Sequence, residues 1–326
     1  MAHFEETMNI EILPWILSGL LIPLFVALVF LFLIALQIKW EIFSPSIIPI
    51  NSPPDKLSPA LVGLLFEKKI SPRQIAATLI DLANRGYLIL GYDQESLFFT
   101  PGKKPDNNLR NYEKVLLSEL FERKRLLTSF QTLRLKSAKS LFSPQIFKVY
   151  DLLNQESAKV GLFKGNPHLV RIPYKLTGLV VYFLSALSII FVFLFGYNNL
   201  YLWPLAGILF SAILMIKSSY LFPVRDIQGH VSYLKWWRFR LYLKENLLSR
   251  TSGSSLNLNQ QFYQYLPYAL SFGLEKKWFK KFKGYTLGPP SWMYQPGEKF
   301  DISKKILPLV KRISISFSLL RGPQIN

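Results

Sequence analysis

Charged residues desert this chain in stretches long enough to cross a bilayer. Residues 12–38 run for 27 positions without a charge, about 40 Å as a helix at about 1.5 Å per residue. Glu5, Glu6 and Glu11 precede this run, no basic residue does, and no small-residue cleavage site follows, so it reads as an anchor and not as a signal peptide. Residues 176–216 form a second uncharged run, broken at Gly196-Tyr197-Asn198-Asn199. Those turn formers divide it into 176–195 and 200–222. The pattern predicts three transmembrane helices, the last two joined as a tight hairpin. Tyr197, Tyr201 and Trp203 gather at its turn, where amphipathic rings favour the headgroup layer.

Between the uncharged runs the periodicity becomes that of a water-soluble fold. Residues 39–56 are a linker ending in the turn-rich Asn51-Ser-Pro-Pro-Asp55. Residues 57–165 read as a mixed α+β region that opens with helices at 57–66 and 71–85. Ser71 is placed to accept from the first-turn N–H groups, Pro72 sits where a missing N–H costs nothing, and Gly86 supplies a left-handed stop. Ile75, Leu79 and Leu82, with Ala76, Ile80 and Ala83 beside them, mark the buried face. Residues 87–92 and 97–100 then form a β-hairpin across Asp93-Gln94-Glu95-Ser96. Helix, helix, hairpin is the outline of a winged-helix module. A helix over 108–124, with Leu109, Tyr112, Leu116 and Leu120 on one side, a short extended piece at 126–130 and further helix up to Gly161 follow.

After the hairpin of spans, 223–283 reads as a helical region. Residues 228–248 combine Trp236, Trp237, Arg238, Arg240 and Tyr242, as in a helix lying near the headgroups with its basic side chains reaching outward. Thr251-Ser-Gly-Ser-Ser255 is a flexible link, and 259–282 should be two helices broken near Pro267 or Gly273. Residues 284–326 form a basic tail, irregular or lying on the membrane surface. Within it Ile306, Val310, Ile313, Phe317 and Leu320 suit a helix, whereas 314–318 alternates like a strand.

Charge orients this arrangement. All 39 Lys and Arg fall in residues 39–175 or 217–321. Nine lie within 20 positions of the ends of the uncharged runs, at 38, 176 and 216, on that side, and none on the other. The asymmetry places the N-terminus outside the cell membrane and both large blocks in the cytoplasm. The formal net charge of +19 points to anionic membrane lipids as partners, with Lys217, Lys235, Arg238 and Arg240 as headgroup contacts; nucleic acid is not required by it.

Chemistry is sparse. The chain has no cysteine, which removes disulfides, thiolate metal sites and a thiol nucleophile. His3, His168 and His230 share no ligand spacing. No nucleophile-elbow or phosphate-loop pattern occurs, and the uncharged runs hold no ionisable group for ion or proton transport. No catalytic, cofactor or metal residue is therefore expected, and the chain is not read as an enzyme.

Pro53-Pro54-Asp55, Leu57-Ser-Pro-Ala60 and the run from Ile75 to Leu88 resemble the cytoplasmic part of the YciQ-like predicted membrane proteins, a family of unknown function. Arg225, Gly229 and Phe239-Arg-Leu-Tyr-Leu243 are similar to the segment after that family's membrane hairpin. Tyr265-Leu-Pro-Tyr-Ala-Leu-Ser-Phe-Gly273, with Trp278 and Phe282, resembles its most recognisable motif. Arg238 stands where the family more often has Gly. Members usually begin with a signal and a large β-rich outer domain; here residues 1–11 are expected as a short outer tail.

Two functions fit these features. One is an adaptor or scaffold of the cell envelope that binds a membrane or envelope protein through its winged-helix-like region, using Gln74, Thr78, Asp81 and Arg85. The alternative is a membrane-tethered DNA-binding regulator, against which Asp81 stands in the middle of the candidate reading face.

Overall fold

A computed structural model describes residues 13–29, 32, 48–92, 97–121, 133–135, 143–219, 223, 225–245, 255–285, 287–293, 306–311 and 313. The expected outer tail, the turn at 93–96, the extended piece at 126–130 and most of the link at 251–255 lie outside these residues. In chain order the elements are α1 (Leu13–Val29), α2 (Pro59–Glu67), α3 (Pro72–Asn84), β1 (Leu88–Tyr92), β2 (Leu97–Pro101), α4 (Asn111–Phe121), β3 (Leu133–Leu135), α5 (Ser143–Lys159), α6 (Pro167–Leu194), α7 (Leu202–Ser218), α8 (Ile227–Lys244), α9 (Ser255–Ser271) and α10 (Glu275–Lys281). The protein is mostly helical and divides into two units. One comprises residues up to 45 with 163–224; the other comprises 46–162 with 225–325.

In the first unit α6 and, with the 3₁₀ turn that precedes it, α7 are long and apolar enough to cross a membrane. α6 starts nine residues before the uncharged run, because Pro167 sits in its first turn and the Asn166 side chain accepts from the His168 N–H. A helix start is set by its cap, which an uncharged stretch does not report. α1 is apolar but only 17 residues long over the described residues; positions 33–38 of the expected span fall outside them. α1 meets α7 where two glycines face each other: a Cβ on Gly207 would stand 2.7 Å from the Gly19 carbonyl oxygen. Small residues at such crossings let apolar helices pack backbone to backbone.

The second unit is built around α3. Its sequence suggests one buried face, yet Gln74 to Ile80, Leu82 and Ala83 are all buried, because α2 packs on one side and α9 covers the other. Gln74 Oε1 accepts from both the N–H and the hydroxyl of Ser71, at 2.7 and 2.6 Å, and the two residues form a capping box at the start of α3. At the far end Gly86, at φ 82°, allows Tyr87 N–H to reach Leu82 O and Gly86 N–H to reach Ala83 O, both at 2.9 Å, the bond pair of a Schellman stop.

The hairpin of β1 and β2 pairs Leu90 with Phe99, both buried. β3 joins the free side of β2, with Phe99 opposite Leu133; residues 133–135, expected within a helical stretch, are therefore extended, held by a sheet edge that local pattern does not reveal. On the other side of β1, Leu90 N–H donates to Trp292 O at 2.8 Å and Leu90 bridges Met293 in parallel. Part of the expected irregular tail thus extends the sheet. Residues 306–311 are helical, and Ile306, Leu309, Val310 and Ile313 are buried, so these side chains are interior.

α8 and α9 supply an aromatic core. Trp236, Phe239, Tyr242 and Leu243, expected near headgroups, are buried. Trp236 stacks on Tyr268 at 5.1 Å and Phe239 meets Tyr265 edge-on at 5.2 Å. Pro267 lies inside α9, and the break between α9 and α10 comes at Gly273. Trp278 is fully buried and donates its indole N–H to Phe262 O at 3.1 Å. Lys281 Nζ donates to the Tyr242 carbonyl, in the last turn of α8, where helical partners run out.

The chain leaves this unit at Leu162 and returns at Arg225, and the two points are bonded: Asp226 N–H donates to Leu162 O at 3.2 Å. Gly229 makes this possible, since a Cβ there would stand 1.9 Å from the same oxygen. Gly229→Ala should lower the unfolding free energy of the protein in detergent by about 1–3 kcal/mol, as overpacking against backbone does. Trp278→Ala should lower it by about 3–5 kcal/mol. Denaturant titration followed by circular dichroism measures both; two losses within error would show that neither site is packed as described.

Candidate functional site

The polar residues of α3 converge on a cluster that α4, α9 and the segment before α2 complete. Asp81 Oδ2 forms an ion pair with Arg85 Nε at 3.0 Å, and Arg85 Nη2 pairs with Glu113 Oε1 at 2.8 Å. Glu113 is only 1% exposed. It also accepts from the Arg110 N–H at 3.0 Å and from the Tyr112 hydroxyl at 3.2 Å. The Tyr112 hydroxyl oxygen also lies 2.6 Å from Ser58 Oγ, within hydrogen-bond distance, and Arg110 pairs with Glu156 at 3.0 Å. Three carboxylates, Asp81, Glu113 and Glu156, and two guanidiniums, Arg85 and Arg110, thus share the cluster, an arrangement that makes burial of charge tolerable.

Burial raises the Asp81 carboxyl from its ordinary value to about 6, against the pull of the Arg85 guanidinium and with the help of Glu113. For Arg85 the two carboxylates outweigh burial and shift its pKa upward. Burial pushes the Tyr112 hydroxyl well up, and the Glu113 charge adds to it. Tyr268, donating to Leu57 O at 3.0 Å, is likewise raised by burial and by the charges of Asp81 and Asp55.

Of the residues expected to bind a partner, Gln74 and Thr78 face inward. Gln74 Nε2 donates to Glu67 Oε2 at 3.1 Å and the Thr78 hydroxyl donates to Gln74 O at 2.8 Å, so both are engaged within the unit. Asp81 and Arg85 stand at its edge, their side chains 20% and 32% exposed. One step along α3, Asn84 Nδ2 donates to Tyr263 O at 2.6 Å and Asn84 Oδ1 accepts from Trp292 Nε1 at 2.6 Å. The face that a DNA reader would present is turned toward α9.

The basic residues expected at headgroups separate. Lys217 is exposed near the end of α7, and Lys235 is exposed on α8. Arg238 Nε donates to Ile48 O at 2.6 Å. Arg240 is drawn into an aromatic group, 5.3 Å from the Trp237 ring, 5.9 Å from Phe66 and 6.0 Å from Phe272. Sequence reasoning missed Glu113, Tyr112 and Ser58 as parts of the cluster. A signal for Glu113 existed: it falls on the stripe of Leu109, Tyr112, Leu116, Leu117 and Leu120, an acid in line with buried positions. Among the described residues no three His, Asp or Glu are grouped to hold a metal ion.

Residues 48–282 match the family model described as the C-terminal domain of a predicted membrane protein (DUF2207). The match takes in α2 to α10 and more than two thirds of the chain, and the chain belongs to that family. No curated protein and no solved structure matches it.

The raised Asp81 value has a pH consequence. A folded-state pKa of about 6 against an ordinary 3.8 means that the folded protein holds this proton more tightly than the unfolded chain. Asp81 therefore favours folding most below about pH 4, and that contribution is lost as pH rises through about 6. Melting temperature against pH should fall across this window in the wild type, and the fall should be shallower in Asp81→Asn. Parallel profiles would exclude Asp81 as the titrating group.

Proposed function

We propose that this chain is a multi-pass protein of the cell (inner) membrane that acts as an envelope-associated adaptor or scaffold. Three spans, 12–38, 176–195 and 200–222, carry a cytoplasmic body with a winged-helix-like start, the N-terminus lies outside, and the body binds a membrane or envelope protein. The observation that carries this reading is the way the body is assembled. Residues 46–162 and 225–325 fold as one unit, and the segment holding α6 and α7 is inserted between them. A body whose two chain segments are bonded at Leu162 and Asp226, the points between which the apolar helices are inserted in the sequence, is a single folded unit suited to bind a partner. Exposed apolar side chains on α6, such as Phe183 and Leu187, support lipid as the surrounding of that hairpin. The excess of basic residues beside the apolar runs supports the orientation.

A tethered DNA-binding regulator would need a reading helix open to solvent, with Arg and Lys outward and no central carboxylate. Here α3 has its polar face against α9, Gln74 and Thr78 buried, and Asp81 at the rim. The adaptor is favoured on that ground.

The chain has no cysteine, so single cysteines introduced at 8, 96, 198 and 254 can be probed in intact cells with an impermeant maleimide. Labelling at 8 and 198 and protection at 96 and 254 is the expected outcome; labelling at 96 or 254 would reverse the topology. Photoreactive residues at Lys103 and Lys114, both exposed near the Asp81 cluster, should crosslink in cells to a membrane or envelope protein. Capture of chromosomal DNA at either position would reject the adaptor in favour of the regulator.

A further inference from the structure

α8 has two faces, and only one of them belongs to the core. Gly229, Trp236, Phe239 and Leu243 point inward. On the opposite side Ile227 is 79% and Val231 46% exposed, followed at helical spacing by exposed Lys235 and by Arg238. Arg238 is bonded to Ile48 O, and the Ile48 side chain is 63% exposed. In this unit the large apolar side chains left exposed among the described residues are Ile48, Phe147, Val160, Ile227, Val231 and Tyr285. Ile227 and Val231 belong to this stripe, and Ile48 is bonded to it through Arg238. Val160 is next to it, since its neighbour Gly161 abuts the Gln228 side chain, with a Cβ there 2.9 Å from Oε1.

Chain connectivity says what covers this stripe. Eight residues separate α7 from α8, four separate Leu162 from α6, and Ile48 lies ten residues beyond the end of the uncharged run at 38. Eight residues span at most about 28 Å fully extended. The exposed apolar residues therefore cluster where the chain passes to and from its apolar helices, and basic side chains accompany them. Apolar anchors with lysine and arginine alongside are the composition of a helix seated in the headgroup layer of an anionic leaflet.

We propose that the Ile227–Val231–Lys235–Arg238 stripe of α8, with Ile48, is a lipid-contact surface. Ile48, Ile227 and Val231 enter the boundary between headgroups and acyl chains, and Lys235 and Arg238 contact lipid phosphates. The proposal rests on the membrane reading of α6 and α7 and adds to it a second, peripheral attachment of the body.

The test uses the full chain in vesicles of phosphatidylcholine with about 30% phosphatidylglycerol, the anionic lipid supplying the charge that basic side chains seek. Single cysteines at 48, 227 and 231 carry a bimane, quenched either by doxyl-labelled lipid or by aqueous iodide. Positions 147 and 285 serve as water-exposed references, and 187 on α6 as the lipid reference. At 48, 227 and 231 lipid quenching at least twofold above that at 147 and 285, with reduced iodide quenching, is expected. Lys235→Glu with Arg238→Glu should lower the lipid quenching at 231 while leaving that at 187 unchanged. Iodide quenching at 227 and 231 equal to that at 285, with 187 still lipid-quenched, would overturn the lipid surface and leave the membrane hairpin standing; loss of lipid quenching at 187 as well would remove both. Protection from both quenchers that deepens with protein density would assign the stripe to a second copy of the chain and overturn the proposal.

Discussion

Enclosure of α3 between α2 and α9 is the constraint on which the rest of the structure depends. α3 carries apolar residues around most of its circumference, and a helix of that kind must be covered on more than one side. α2, adjacent in sequence, covers one side. The other is covered by α9, more than 170 residues later, with Asn84 bonded to Tyr263 O and Ser271 to Pro59 O. Closing that gap brings the two basic blocks into one unit, and the apolar hairpin becomes an insertion within it. The Leu162–Asp226 bond and the missing side chain at Gly229 complete the closure at its base.

The same enclosure decides the fate of the polar residues on α3. A polar face turned inward must find partners, and it finds them within the chain: Ser71 and Glu67 for Gln74, Arg85 for Asp81, Tyr263 and Trp292 for Asn84. Arg85 and Glu113 then connect α3 to α4. The cluster behaves as a structural lock with a titratable rim at Asp81, where burial outweighs the neighbouring guanidinium. Lys281 shows the complementary case. Burial lowers its ammonium to about 8 while it caps the last turn of α8, so its unfavourable contribution is fully present below about pH 8 and fades as pH rises toward its ordinary value.

α8 joins these two themes. Its aromatic side belongs to the core with Tyr265 and Tyr268, and its opposite side retains the exposed isoleucine, valine and basic residues. A mixture of aromatic and basic residues in one helix is read from sequence as a single surface. In three dimensions the arginines divide: Arg240 sits over aromatic rings, whereas Arg238 lies with the exposed stripe.

The sequence alone determined what depends on neighbouring residues. Pro72 and Gly86 mark the ends of α3, the runs around 93–96 make a hairpin, and Gly196 to Asn199 split the second uncharged run, because turn and cap conformations are decided within a few residues. What tertiary structure decided are the pairings over long chain distances. That α9 rather than solvent meets the polar side of α3, that 133–135 and 292–293 find the two edges of the hairpin, and that Glu113 is buried against Arg85 all follow from which surfaces come together. Those partners lie tens to hundreds of residues apart, and neither periodicity nor charge count along the chain carries that distance.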